Sequence, residues 1–141
     1  MWNNKGVTLT ELIIVVAIIG ILAMIAIPGY IGQQTRAQRT ESFGNLESLR
    51  LLQEQFFTER GVYTASIGTC AADNDNVAAI QAVLPGFRPG TGLNYSYCLE
   101  QNIDLNGNAR TPCFRASAFG NTGTRVVNDT FRIDCLNNKN Y

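Results

Sequence analysis

The chain has 141 residues, enough for one domain, and its 11 Lys+Arg against 11 Asp+Glu leave a formal net charge of zero. That balance argues against a protein held to nucleic acid mainly by bulk charge, and no specific nucleic-acid binding is evident. Histidine is absent, which removes His-based triads and His-ligated zinc.

The N-terminus opens on a short hydrophilic piece, Met1–Gly6, followed by an apolar run from Val7 to Ile27 whose polar members are Thr8, Thr10 and Glu11. As a helix this run is about 30 Å long, the thickness of a bilayer core. A secretory signal cut near Ala26 and a plain signal anchor are the ordinary readings. Neither accounts for Glu11, because a carboxylate inside an apolar span costs roughly 2.5–3.5 kcal/mol.

Lys5-Gly6, the run Val7-Thr8-Leu9-Thr10-Glu11 through Ala23, and the ending Ala26-Ile27-Pro28 closely resemble the N-terminus of type IV prepilins. The resemblance covers residues 5–30. It implies cleavage between Gly6 and Val7, N-methylation at Val7, and an assembly role for Glu11, the fifth mature residue, and for Pro28. Two positions depart from the family pattern: Val7 stands where Phe is usual, and Thr10 where an aliphatic residue is usual.

Beyond the apolar run, Pro28, Gly29 and Gly32 weaken a helix, since proline removes an internal hydrogen bond. The pattern predicts a kink rather than an end. Phe43, Leu46, Leu49, Leu52 and Phe56 recur at steps of three and four, with Arg36, Arg39, Glu41, Glu47, Arg50, Glu54 and Glu59 between them. This amphipathic half is expected to stop near Arg60-Gly61, so Val7–Arg60 reads as one helix of about 80 Å. Residues 61–92 read as a loop with a short helical turn over Gln81–Leu84.

Three strands follow: Leu93–Gln101, Arg110–Phe119 and Asp129–Cys135, the first two joined at an Asn106-Gly107 turn. Their alternation predicts a three- or four-stranded antiparallel sheet whose apolar face covers the helix stripe. The fold class is therefore α+β, a long N-terminal helix on a small antiparallel sheet, similar to a pilin. Its divisions are leader 1–6, membrane or filament-core helix 7–28, and head 29–141. The head comprises helix 29–60, loop 61–92 and sheet 93–135.

Cys70, Cys98, Cys113 and Cys135 all lie beyond the membrane segment, where an even count favours disulfides. Three connectivities are possible. Cys70–Cys98 with Cys113–Cys135 is the preferred one, the second bridge closing the C-terminal strand onto the meander. A metal site is disfavoured because no pair has CxxC spacing. Asp73-Asn74-Asp75-Asn76 and Asp104–Asn108 offer oxygen ligands suited to calcium, but turn chemistry explains both, so no metal and no cofactor is expected. Phe43, Phe56, Phe57, Tyr30 and Tyr63 read as core aromatics before they read as an electron-transfer track. Asn94-Tyr95-Ser96 and Asn128-Asp129-Thr130 fit the N-glycosylation pattern without supporting a sugar. No nucleophile–base pair, phosphate-binding loop or catalytic carboxylate pair stands out, so an enzyme is not expected.

The resemblance implies a structural subunit of an extracellular type IV pilus, with a pseudopilin of type II secretion as the alternative. It implies these partners: a prepilin peptidase/methyltransferase, other pilin subunits, an assembly ATPase with its platform protein, and an outer-membrane secretin in a Gram-negative source. It places the precursor in the inner membrane as a single-pass protein and the assembled form outside the cell. Twitching motility, cell adhesion, DNA uptake and conduction all remain open roles for such a filament, as does major or minor status.

Overall fold

The structure, a computed structural model, describes residues 6–141; the expectations for the leader therefore lie outside it, apart from Gly6. Its elements are α1 (Leu9–Arg60), α2 (Val77–Val83), β1 (Tyr95–Ile103), β2 (Ala109–Gly120) and β3 (Thr130–Asp134). Two compact units share α1, one ending at Arg36 and the other spanning Ala37–Tyr141.

In the first unit α1 passes through Pro28, Gly29 and Gly32 without a break, which excludes a helix end there. The most apolar window of α1 has mean hydropathy 2.9, and it is the one helix among the described residues long and apolar enough to cross a membrane. Its large side chains are bare: Met24 and Ile25 are 77% and 75% exposed. A helix that is apolar on all sides and uncovered needs a non-aqueous environment or other copies around it.

In the second unit α1 buries Ser42, Leu46, Leu49 and Gln53. The expected stripe is thus centred on Leu46 and Leu49, with Leu52 and Phe56 partly buried at its flank. Two of its four fully covered positions are polar, and each is satisfied. Ser42 Oγ donates to the Arg39 carbonyl at 2.8 Å. Gln53 donates to Thr64 Oγ1 at 2.5 Å and accepts from the Thr64 amide at 3.2 Å. That two-way bond pins the chain where it leaves the helix, just after Gly61 turns with φ +73°. Only glycine adopts that conformation freely, so the helix ends there.

The sheet is an antiparallel meander in the order β1-β2-β3. Tyr97 faces Ala118 and Leu99 faces Ala116, while Ala116 and Ala118 face Ile133 and Phe131 on β3. The small alanines in the central strand leave room for the large side chains on either side and for the helix above. The other face of the sheet is not solvated as simple alternation predicts. Ser96, Cys98 and Ser117 are buried there as well.

Both sheet edges are covered. Ile67 exchanges two backbone bonds with Leu99, at 2.8 and 3.1 Å, along the free side of β1. The tail covers β3: the Asp134 amide donates to the Asn138 carbonyl at 3.1 Å, and the Arg132 amide donates to Asn140 Oδ1 at 2.7 Å. The predicted helical turn at 81–84 is instead the end of α2, which starts at Val77 because Ile80 is needed in the core. Between β2 and β3 the chain folds back so tightly that a side chain at Gly120 would collide with the Val126 carbonyl. That fold buries Val126 and turns Val127 outward.

Aromatic rings fill the space between helix and sheet. Phe43 stacks on Tyr141 with centroids 4.3 Å apart and meets Phe131 edge-on at 4.8 Å. Phe57, Tyr63 and Phe114 form a second group. Burial first, then the Glu54 carboxylate accepting its hydroxyl, pushes the Tyr63 phenol up to about 12. Burial likewise raises Tyr141 to about 12, with the Glu47 charge adding to it. Burial pushes Tyr95 and Tyr97 up as well, and Tyr95 also donates to Asp129.

These shifts carry a stability consequence. A phenol whose folded pKa lies above its unfolded value of about 10 leaves stability intact below that pH. Stability is then lost as pH rises from about 10 toward 12, where only the unfolded chain ionises freely. Phenolate absorbance and circular dichroism followed together should therefore change in the same alkaline step. Phenolate appearing at pH 10 from all four of these residues, with the fold intact, would contradict their burial.

Candidate functional site

The residues singled out at the N-terminus gather at the start of α1. Thr8 Oγ1 accepts from the Glu11 amide at 3.3 Å, and the Glu11 carboxylate accepts from the Thr8 amide at 3.2 Å. This is a capping box, with Thr8 as the cap and Glu11 three residues on. The Thr8 hydroxyl adds a 3.0 Å bond to the same carboxylate oxygen, and Thr10 Oγ1 lies 3.2 Å from that hydroxyl. Glu11 is thus no stray charge in an apolar run: it satisfies the amide that a helix start otherwise leaves open. Gly6 and Val7 precede the box, both exposed, and a side chain added at Gly6 would meet nothing within 4 Å. Pro28 lies on the same helix, exposed.

The four cysteines form two bridges. Cys70 pairs with Cys98, Cα atoms 5.3 Å apart, and Cys113 with Cys135 at 5.2 Å. The first ties the long loop onto β1, and the second ties the end of β3 onto β2. Cys70, Cys98 and Glu100 stand within metal-ligating reach of one another, but the two sulfurs are spent on the disulfide.

The acidic clusters are likewise engaged as loop staples. Asp73 accepts from the amide and the hydroxyl of Thr122, at 2.9 and 2.8 Å. Asp104 accepts from the amides of Asn106 and Asn108, at 2.9 and 2.8 Å, and hydrogen bonds from the Asn108 side chain and these amides hold its carboxyl below the usual range.

Sequence reasoning passed over Asp134, which is fully buried on β3. One oxygen accepts from the amides of Leu136 and Asn138, both at 2.9 Å; the other accepts from the Leu105 amide at 3.2 Å and from the Asn138 side chain at 2.9 Å. It binds the hairpin turn to the tail. Three ion pairs fasten further elements: Arg39 to Asp129 at 2.7 Å, Arg115 to Glu100 at 2.7 Å, and Lys139 to Glu47.

Comparison with known proteins bears on the N-terminal segment. Residues 3–27 match the family described as the Prokaryotic N-terminal methylation motif. The type IV major pilin protein PilA of Myxococcus xanthus is 52% identical over 62 residues, 44% of this chain and 28% of that protein. A fimbrial protein of Moraxella nonliquefaciens is 44% identical over 76 residues, 54% of this chain and 44% of its own. The type IV major pilin protein PilE of Neisseria gonorrhoeae is 39% identical over 60 residues, 43% of this chain and 36% of that protein. The matched stretch thus spans less than half the length of each of these relatives. No solved structure matches.

The relatives that share this N-terminus are structural pilin and fimbrial proteins, not enzymes. Over that N-terminal segment the chain is similar to type IV pilins.

Proposed function

We propose that the chain is the structural subunit of an extracellular type IV pilus, polymerised through its N-terminal helix after cleavage between Gly6 and Val7 and methylation of Val7. The observation that carries this reading is the uncovered apolar helix, bare on every side in the single chain. Bilayer lipid covers it in the membrane-anchored precursor, and neighbouring helices cover it in the fibre. The capping box supports the same reading, because it holds a carboxylate one helical turn from the amine that cleavage creates at Val7. Glu11 then serves as the register residue, and Pro28 with Gly29 lets the helix yield as it packs.

The partners follow from this role: a prepilin peptidase/methyltransferase, other pilin subunits, and an assembly ATPase with its platform protein. A pseudopilin of type II secretion carries the same N-terminus; long surface fibres containing this chain distinguish the pilin.

Mass spectrometry of sheared fibres tests the reading. The expected N-terminal peptide starts at methylated Val7, and the mature protein lacks Trp2, the sole tryptophan, and with it tryptophan fluorescence. A fibre-derived peptide that retains Trp2 would overturn the cleavage assignment.

A further inference from the structure

Of all the asparagines in the chain, Asn106 alone is followed by glycine. The pair sits at the tip of the hairpin joining β1 and β2, and both residues are exposed. The side-chain amides of Asn45, Asn74, Asn76, Asn121 and Asn138 are tied down by hydrogen bonds. That of Asn106 forms none among the described residues; its backbone amide is held by Asp104 Oδ1 at 2.9 Å. Gly107, at φ +94°, brings no Cβ to crowd the approach of the Asn106 side chain to its nitrogen.

We infer that Asn106 is a site of spontaneous deamidation in the folded protein. The Gly107 nitrogen, its proton passed to hydroxide, attacks Cγ of Asn106. The new N–Cγ bond closes a cyclic imide, and the bond from Cγ to Nδ2 breaks, releasing ammonia that takes its extra proton from water. Water then opens the ring at either carbonyl. One opening leaves aspartate; the other leaves isoaspartate, in which the main chain runs through Cβ. In sum a water enters and an ammonia leaves, and nothing is oxidised or reduced.

The turn opposes this reaction at the nucleophile itself, because the Gly107 amide donates to the Asp104 carbonyl at 3.1 Å. The Asp104 carboxylate braces the same turn through the amides of Asn106 and Asn108 and the Asn108 side chain. These bonds lie at an exposed hairpin tip, where local opening is cheapest, so they set the rate without forbidding the step. Asp104 is thus the brake.

The products have a place to go. Asn106 lines a cavity of about 470 Å³ with Arg110, an exposed cation that forms no ion pair among the described residues. A carboxylate at position 106 therefore gains a cation close by. In the isoaspartyl form the added main-chain carbon displaces the Gly107 and Asn108 amides from Asp104. Leu105 of the same turn bonds Asp134, which also holds the tail, so the change reaches the junction of hairpin and tail. The head ages from this tip, whether or not the chain is in a filament.

The full chain, purified in detergent and held in mildly alkaline buffer, tests the inference, with the same chain unfolded in urea as reference. Mass spectrometry of its peptides should show Asn106 exchanging its amide for a carboxyl group many-fold faster than Asn108 or Asn102. A methyltransferase specific for isoaspartyl carboxylates should label the same peptide. Asp104→Ala, which releases the brake without touching Asn106, should speed the conversion several-fold, and Asn106→Ser should abolish it. No conversion in the folded chain over the time in which the unfolded chain converts fully would overturn the site. So would conversion spread evenly over the asparagines. A folded Asp104→Ala variant that converts at the unaltered rate would overturn the brake; the comparison of folded and unfolded wild-type chain decides the site even where that variant does not fold.

Discussion

Glu11→Val should leave membrane insertion and leader removal intact and yield few or no fibres. The carboxylate precedes a long apolar segment, and once packed among helices a buried charge without a partner is strongly disfavoured. In a staggered bundle of identical helices, the amine that cleavage creates at Val7 of one subunit can meet Glu11 of another. The uncleaved precursor has no such amine, so on the proposed reading the pairing would also make assembly wait for processing. Glu11 has a second task in the single chain, where it accepts from the Thr8 amide. Losing a helix cap costs about 0.5–2 kcal/mol, so the valine variant confounds two effects. Glu11→Gln separates them, because its amide oxygen still accepts from Thr8 while the charge is gone. Fibre loss in both variants assigns the role to the charge; normal fibres from the glutamine variant assign it to the cap. Wild-type yield from Glu11→Val would refute the register role.

Breaking the disulfides should have the largest effect on the head. Their loops span 28 and 22 residues. Cross-links closing loops of that length typically stabilise by roughly 2–4 kcal/mol each, which is a large share of the roughly 5–15 kcal/mol that holds a small domain folded. Cys113→Ser with Cys135→Ser should lower the melting temperature by many degrees and raise protease sensitivity, and so should reduction of the unaltered protein. The second bridge fastens the end of β3 beside Asp134, so its loss should also free the tail bonded to that carboxylate. An unchanged melting temperature after verified reduction would show that the bridges add nothing to stability.

Much of this architecture is legible along the chain because it rests on local periodicity. The unbroken apolar run, the three- and four-residue steps through Leu46 and Leu49, and the alternation of Tyr95, Tyr97 and Leu99 each report an element directly. The contacts that passed unnoticed join residues far apart in sequence through polar groups. Gln53 to Thr64, Asp134 to Leu105, and Asp129 to Arg39 leave no periodic trace. Ser96 and Ser117 look solvent-facing by alternation, yet the second face of the sheet buries them. Thr8-x-x-Glu11 is a different case. Its spacing is a recognised helix-start pattern, but within an apolar segment Glu11 draws notice as a charge before it is read as a cap.

The covered sheet edges bear on crowding. A fibre brings many copies of one head to very high local concentration, the condition under which an open strand recruits its own kind into amyloid-like stacks. Here Ile67 occupies the outer side of β1, and Asn138 and Asn140 occupy that of β3. At these positions the backbone groups of the edge strands are already bonded and offer no template for a further strand. On the filament reading proposed above, neighbouring heads would meet through side chains rather than through shared strands.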